Sequence, residues 1–189
     1  MKKIAVFLAD GYEEIEALTV VDVTRRARMK CDIVSLDGEL VRSAHDIFVK
    51  ADKLINEEEL KEYDMIVFPG GLPGADNLAK DARVINLIKY FNENKKFIAA
   101  ICASPAMVLS AAGIEENRYI TAYPGEDFEA MLEKANYVEE LVVVDENIIT
   151  SRGPATTLLF AYKIVDVLGG NSDALKEGML WNKLEEENE

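Results

Sequence analysis

The stretch Phe97-Ile98-Ala99-Ala100-Ile101-Cys102-Ala103-Ser104-Pro105-Ala106 limits the fold more than any other part of the chain. Phe97 to Ile101 is short and wholly apolar, as a strand covered on both faces requires. Pro105 suits the first turn of a helix, where a missing N–H costs nothing. Ala106 to Ala112 continues with good helix formers, and Gly113 is a natural cap. A strand that turns this sharply into a helix needs small residues two before and two after the turning position, here Ala100 and Ser104. That is the pattern of a nucleophile elbow with cysteine at its centre. The turn would expose Cys102 at the carboxyl end of the sheet, over a helix N-terminus whose dipole favours thiolate. Free cysteine is also among the most buried residue types, so the elbow alone leaves an inert core thiol open.

Length and composition describe one soluble domain over residues 1–183, followed by an acidic, frayed tail from Leu184 to Glu189. No apolar run approaches the ~20 residues of a membrane span. Met1-Lys2-Lys3-Ile4 enters a strand directly, without the cleavage region of a signal peptide. Cys31 and Cys102 make no disulfide framework, so a cytoplasmic location is expected. The net charge of −14 would repel nucleic acid. One histidine, His45, and two unpaired cysteines cannot assemble a zinc site of the usual His/Cys kind. Neither a metal nor another cofactor is expected, and His45 reads as a surface residue.

Apolar runs at 3–8, 31–36, 65–68, 97–101 and 119–123 read as strands, and 142–150 as a hairpin around Asp145-Glu146-Asn147. Residues 13–29, 74–92, 106–112 and 154–168 read as helices, with a short one over 56–61 and a last one capped by Ser172. Leu40 to Ala51 suggests a short hairpin. Strands alternating with helices give an α/β sandwich around a mostly parallel sheet. Function in such sheets collects at the carboxyl ends of the strands. Loops at Asp10, Gly70-Gly71, Cys102, Tyr123 and Arg152 fall on that edge.

Glu16 stands out on the first helix. At 100° per residue the apolar arc holds Val20, Val23, Ala27, Ala17, Val21 and Leu18, and Glu16 falls inside it. A carboxyl on a core face near the mouth of the sheet points to chemistry rather than solvation. Kept neutral by burial, it would donate to the Cys102 thiolate and lower the thiol from its ordinary ~8.5. The N–H groups of Gly70, Gly71 and Ala103 would form an oxyanion hole. Arg152 binds a carboxylate, braces the elbow or makes an ordinary structural pairing. A dinucleotide site is excluded: G-x-G-x-x-G is absent and the first turn is acidic.

Four motifs in order, Asp10-Gly11-Tyr12-Glu13-Glu14-Ile15-Glu16, Phe68-Pro69-Gly70-Gly71, Ala100-Ile101-Cys102-Ala103-Ser104-Pro105 and Thr150-Ser151-Arg152-Gly153-Pro154, resemble the ThiJ/PfpI superfamily. The resemblance is closest to the branch containing the parkinsonism-associated protein deglycase. It implies a flavodoxin-like three-layer sandwich, a homodimer, an oxidation-sensitive Cys102 and a protonated partner at Glu16. It further implies glyoxalase or deglycase activity on small α-oxoaldehydes or their glycated adducts, with Cys102 forming a hemithioacetal and Glu16 shuttling a proton. The other reading it carries is a redox-sensing stress protein or chaperone with little turnover. Where the superfamily commonly has a histidine near the cysteine this chain has Tyr123, which weakens a third reading, a cysteine peptidase. Ser104 stands where close relatives often have glycine and keeps the elbow's size requirement.

Overall fold

The computed structural model describes residues 1–186. In chain order the elements are β1 (Lys3–Leu8), α1 (Glu14–Arg26), β2 (Lys30–Ser35), β3 (Leu40–Arg42), β4 (Phe48–Lys50), β5 (Lys53–Leu54), α2 (Glu57–Leu60), β6 (Met65–Phe68), α3 (Gly74–Lys80), α4 (Ala82–Glu93) and β7 (Phe97–Ile101). A π-helical turn, Pro105–Leu109, runs into α5 (Ser110–Ala112). There follow β8 (Tyr119–Ile120), α6 (Glu126–Met131), β9 (Asn136–Tyr137), β10 (Val142–Asp145) and β11 (Ile148–Ser151). A 3₁₀ turn, Pro154–Thr156, leads into α7 (Thr157–Val167), then α8 (Ser172–Gly178) and α9 (Trp181–Glu186).

Seven strands form one sheet in the order β10-β11-β7-β6-β1-β2-β5. Every pairing is parallel except β10 with β11. The period-2 alternation of strand side chains divides the core between the two faces. Ala5 and Phe7 of β1 join one cluster, with Val84, Leu87, Ile88 and Phe91 of α4. Ile4, Val6 and Leu8 join the other, with Ala17, Val20 and Val23 of α1 and Phe160, Ile164 and Val165 of α7. Burial on both faces is why the central strands are apolar throughout.

Several boundaries differ from the sequence expectation. The helix expected to reach Asn92 is two helices: Asp81 is extended (φ −82°, ψ 114°) and its carboxylate caps the Arg83 N–H at 2.8 Å. The expected strand over 119–123 keeps only two residues, which pair with β9 in a separate ladder, and the chain then bends toward Cys102. The helix α6 occupies a stretch where none was foreseen. Asn171, not Ser172, caps α8, accepting from the Ala174 N–H. The last helix breaks at Leu180, which sits at φ 62°. The tail expected to fray from Leu184 is helical to Glu186, and residues 187–189 lie outside the described residues. The hairpin over 40–51 forms as β3 and β4, with Ser43 N–H donating to the Ile47 carbonyl across its turn. Among the described residues, no helix is long and apolar enough to cross a membrane.

Candidate active site

Cys102 directly follows β7 and sits at φ 64°, a left-handed conformation that a side-chain-bearing residue rarely holds. Its N–H donates to the Ser151 carbonyl at 3.1 Å, and its carbonyl accepts from the Tyr123 N–H at 2.8 Å. The elbow is thereby pinned to the carboxyl end of β11 and to the segment that follows β8. Ala100 and Ser104, the small residues the turn demands, are both fully buried. Ser104 does more than fit: its hydroxyl donates to the Pro69 carbonyl at 2.6 Å, tying the elbow to the loop after β6. A hydroxyl within an otherwise apolar run has to find an acceptor, and this was the sequence signal for that bond.

The loop after β6 supports the site from the other side. Gly71 is at φ 83°, and a Cβ there would lie 2.4 Å from the Glu13 nitrogen. Gly70 stands between the two chemical groups. A Cβ on it would lie 2.6 Å from Cys102 Cβ, 2.8 Å from Glu16 Oε2 and 3.0 Å from Cys102 Sγ. Only glycine lets thiol and carboxyl approach across this backbone. The Gly70 carbonyl accepts from the Glu13 N–H at 2.9 Å, fixing the start of α1 against the same loop.

Glu16 is fully buried. Its Oε2 accepts from the Gly70 N–H at 2.7 Å, and its carboxyl faces the Cys102 thiol across Gly70. Oε1 is buried and has no hydrogen-bond partner of its own among the described residues. Burial raises the Glu16 pKa to about 7, against the pull of the Gly70 N–H. The Cys102 thiol moves opposite to expectation. Burial first, then the Glu16 charge and hydrogen bond, push it up to about 12, while the N–H groups of Gly71 and Ala103 draw it down. The two side chains act as one unit: the first proton leaves near neutrality, and the second is held by burial and the remaining charge.

Three further expectations are corrected or refined. The Gly70 N–H is engaged with Glu16, so the oxyanion donors facing Sγ reduce to Gly71 and Ala103. The Arg152 guanidinium donates to the Glu139 carbonyl at 3.0 Å and the Tyr137 hydroxyl at 3.4 Å; it braces the loop before β10 rather than the elbow. Tyr123 lies against Gly153 and packs edge-on to Phe128, forming an aromatic wall beside the elbow. Phe128 belongs to the unforeseen α6 and carries no local sequence signal for this role. His45 is largely exposed and contacts Glu14 at 3.0 Å, on the α1 side of the molecule.

The profile of the DJ-1/PfpI family matches residues 2–167. The chain belongs to that family. Among its relatives, Protein DJ-1 homolog B of Arabidopsis thaliana is 39% identical over 175 residues, covering 92% of this chain. The chain spans only 40% of that plant protein. The glutathione-independent glyoxalase DJ-1 of Schizosaccharomyces pombe is 32% identical, with 88% of this chain and 91% of the relative covered. In structure, oxidized Toxoplasma gondii DJ-1 superposes with a TM-score of 0.88 at 35% identity, covering 95% of this chain and 98% of that one. The flavodoxin-like sandwich of DJ-1 proteins is thus the architecture of this chain.

Proposed function

We propose that the chain is a cysteine-dependent enzyme of small α-oxoaldehydes and their adducts. The observation that carries this reading is the Glu16 carboxyl, buried against the Cys102 thiol across Gly70 and poised near neutral pH. A carboxylate so placed takes the thiol proton as sulfur attacks the aldehyde carbon. The new oxyanion accepts from the Gly71 and Ala103 N–H groups. Glu16 then moves a proton from the former aldehyde carbon to its neighbour, converting the hemithioacetal into a 2-hydroxyacyl thioester. Water cleaves that thioester and restores the thiol, so methylglyoxal plus water gives lactate. The relative named as a glutathione-independent glyoxalase supports the same chemistry here.

The charges that shift this pair are both acidic, Glu16 on the thiol and Glu13 on the carboxyl. The field at the sulfur therefore favours uncharged carbonyl compounds over carboxylate-bearing aldehydes such as glyoxylate. Lactate formation from methylglyoxal, followed by chromatography, tests the proposal. Wild type should turn over, and Cys102→Ser and Glu16→Gln should fall to background. Turnover by Cys102→Ser at the wild-type rate would remove Cys102 from the mechanism.

A second reading is a redox-responsive thiol. It is favoured by the half-buried position of Cys102, open to small oxidants, and by the two backbone N–H groups that would hold an oxidised sulfur's oxygens. The related Toxoplasma protein is described in an oxidized form.

A further inference from the structure

Away from the elbow, the turn of the β3–β4 hairpin meets the start of α1. His45 Nδ1 lies 3.0 Å from Glu14 Oε1 and 3.7 Å from Glu13 Oε2. One ligand atom from each of the three residues falls within 4.8 Å of the others. We propose that Glu13, Glu14 and His45 form a binding site for a divalent transition-metal ion of the zinc class.

The donor set is one imidazole nitrogen and two carboxylate oxygens, which suits zinc and its neighbours better than magnesium or calcium. Two ligands each ~2.0–2.1 Å from a tetrahedral ion stand ~3.3–3.4 Å apart. The two separations from His45 bracket that value, so small side-chain movements close the site. The shortage of His and Cys that argued against a zinc centre does not bear on carboxylate ligands.

A simple ion pair would give the same cluster, but a neighbouring hydroxyl and the second oxygen of the Glu14 carboxylate call for something more. Tyr12, the residue before Glu13, is fully buried, and its hydroxyl has no hydrogen-bond partner among the described residues. The charge of Glu14 acts on that phenol. Glu14 Oε2 is buried and has no hydrogen-bond partner among the described residues either. An ion brings water ligands, which would supply both orphans with a donor or an acceptor. The bound ion would tie the hairpin turn to α1, the helix that carries Glu16.

His45 is the chain's single histidine, so its imidazole resonances report on this site and nothing else. Full-length wild type and Cys102→Ser, which removes the accessible thiol as a competing ligand, are titrated with Zn²⁺ alone by calorimetry and by NMR. The expected result is one ion per chain in both proteins, with the imidazole signals shifting to saturation at one equivalent. Binding should weaken at least ~10-fold in His45→Ala and in Glu14→Gln, since losing even a partner of a metal ligand costs that much. His45 is exposed, so its replacement leaves the fold intact, and circular dichroism checks this. Equal affinity in His45→Ala, unmoved imidazole signals in wild type, or no binding by Cys102→Ser would each overturn the proposal.

Discussion

Replacing Glu16 with glutamine should make the protein more stable in alkaline solution. The carboxyl titrates near 4.5 when exposed and near 7 in the fold, because burial disfavours its charged form. Its folded pKa is raised, so the folded state holds the proton over a range where the unfolded chain has lost it. Stability from this source is complete below pH ~4.5 and is lost as pH rises toward 7. A gap of this size corresponds to about 3 kcal/mol once both states are ionised, of which about 2.5 kcal/mol falls between pH 5 and 8. The amount does not depend on whether sulfur or oxygen keeps the pair's remaining proton, since the folded pair releases one proton near 7 either way. His45, raised by its hydrogen bond to Glu14, also loses stability with rising pH, but equally in both proteins. The measurement is urea denaturation of wild type and Glu16→Gln at several pH values between 5 and 8. The difference in unfolding free energy should grow in favour of the glutamine variant by about 2–3 kcal/mol across that range. A difference that stays flat with pH would refute the claim that Glu16 is held neutral by burial.

Gly70→Ala should cut methylglyoxal turnover at least ~100-fold and destabilise the fold by about 1–3 kcal/mol, because its methyl must displace Cys102 Cβ and Glu16 Oε2; turnover assays and denaturation curves read the two effects. Ser104→Ala removes the bond to the Pro69 carbonyl and leaves that oxygen unpaired, which should cost about 1–3 kcal/mol in thermal or urea unfolding. Wild-type kcat/KM should rise through an apparent pKa of about 7 as Glu16 becomes available as a base, a limb visible in assays from pH 5 to 9.

What was legible in the sequence follows from local rules. A short apolar run ending at Cys102 before Pro105 admits little except a strand turning into a helix. Glu16 was visible because helical periodicity places it among Val20 and Val23, both fully buried in the fold. What was not legible depends on tertiary direction. Gly70 has no side chain to indicate where its N–H points, and only the packed loop turns that group to Glu16. Arg152 is long enough to reach several loops, and the path of residues 137–139 decides among them. The rise of the Cys102 thiol reflects burial and a neighbouring charge brought from 86 positions away in the chain, which no local pattern encodes. Asp81 was read as helix interior because its neighbours are helix formers; its carboxylate instead starts a new helix.

The enzyme and redox readings start from the same step and diverge at the next. A thiol pushed up to about 12 reacts slowly with either an aldehyde or a peroxide unless a base takes its proton, so both need Glu16 ionised. Oxidation then asks nothing more of the carboxyl, whereas aldehyde turnover needs it again to carry a proton between carbons. Glu16→Gln separates the two. Without the neighbouring charge, the thiol falls from its wild-type position, and alkaline buffer ionises it directly. Peroxide should therefore still oxidise Cys102 of the variant in alkaline buffer, read as added oxygen by mass spectrometry. Lactate formation should stay at background at every pH. Recovery of lactate formation in the variant on raising the pH would show that ionising the thiol is all Glu16 does, and the proton-transfer role assigned to it would fall.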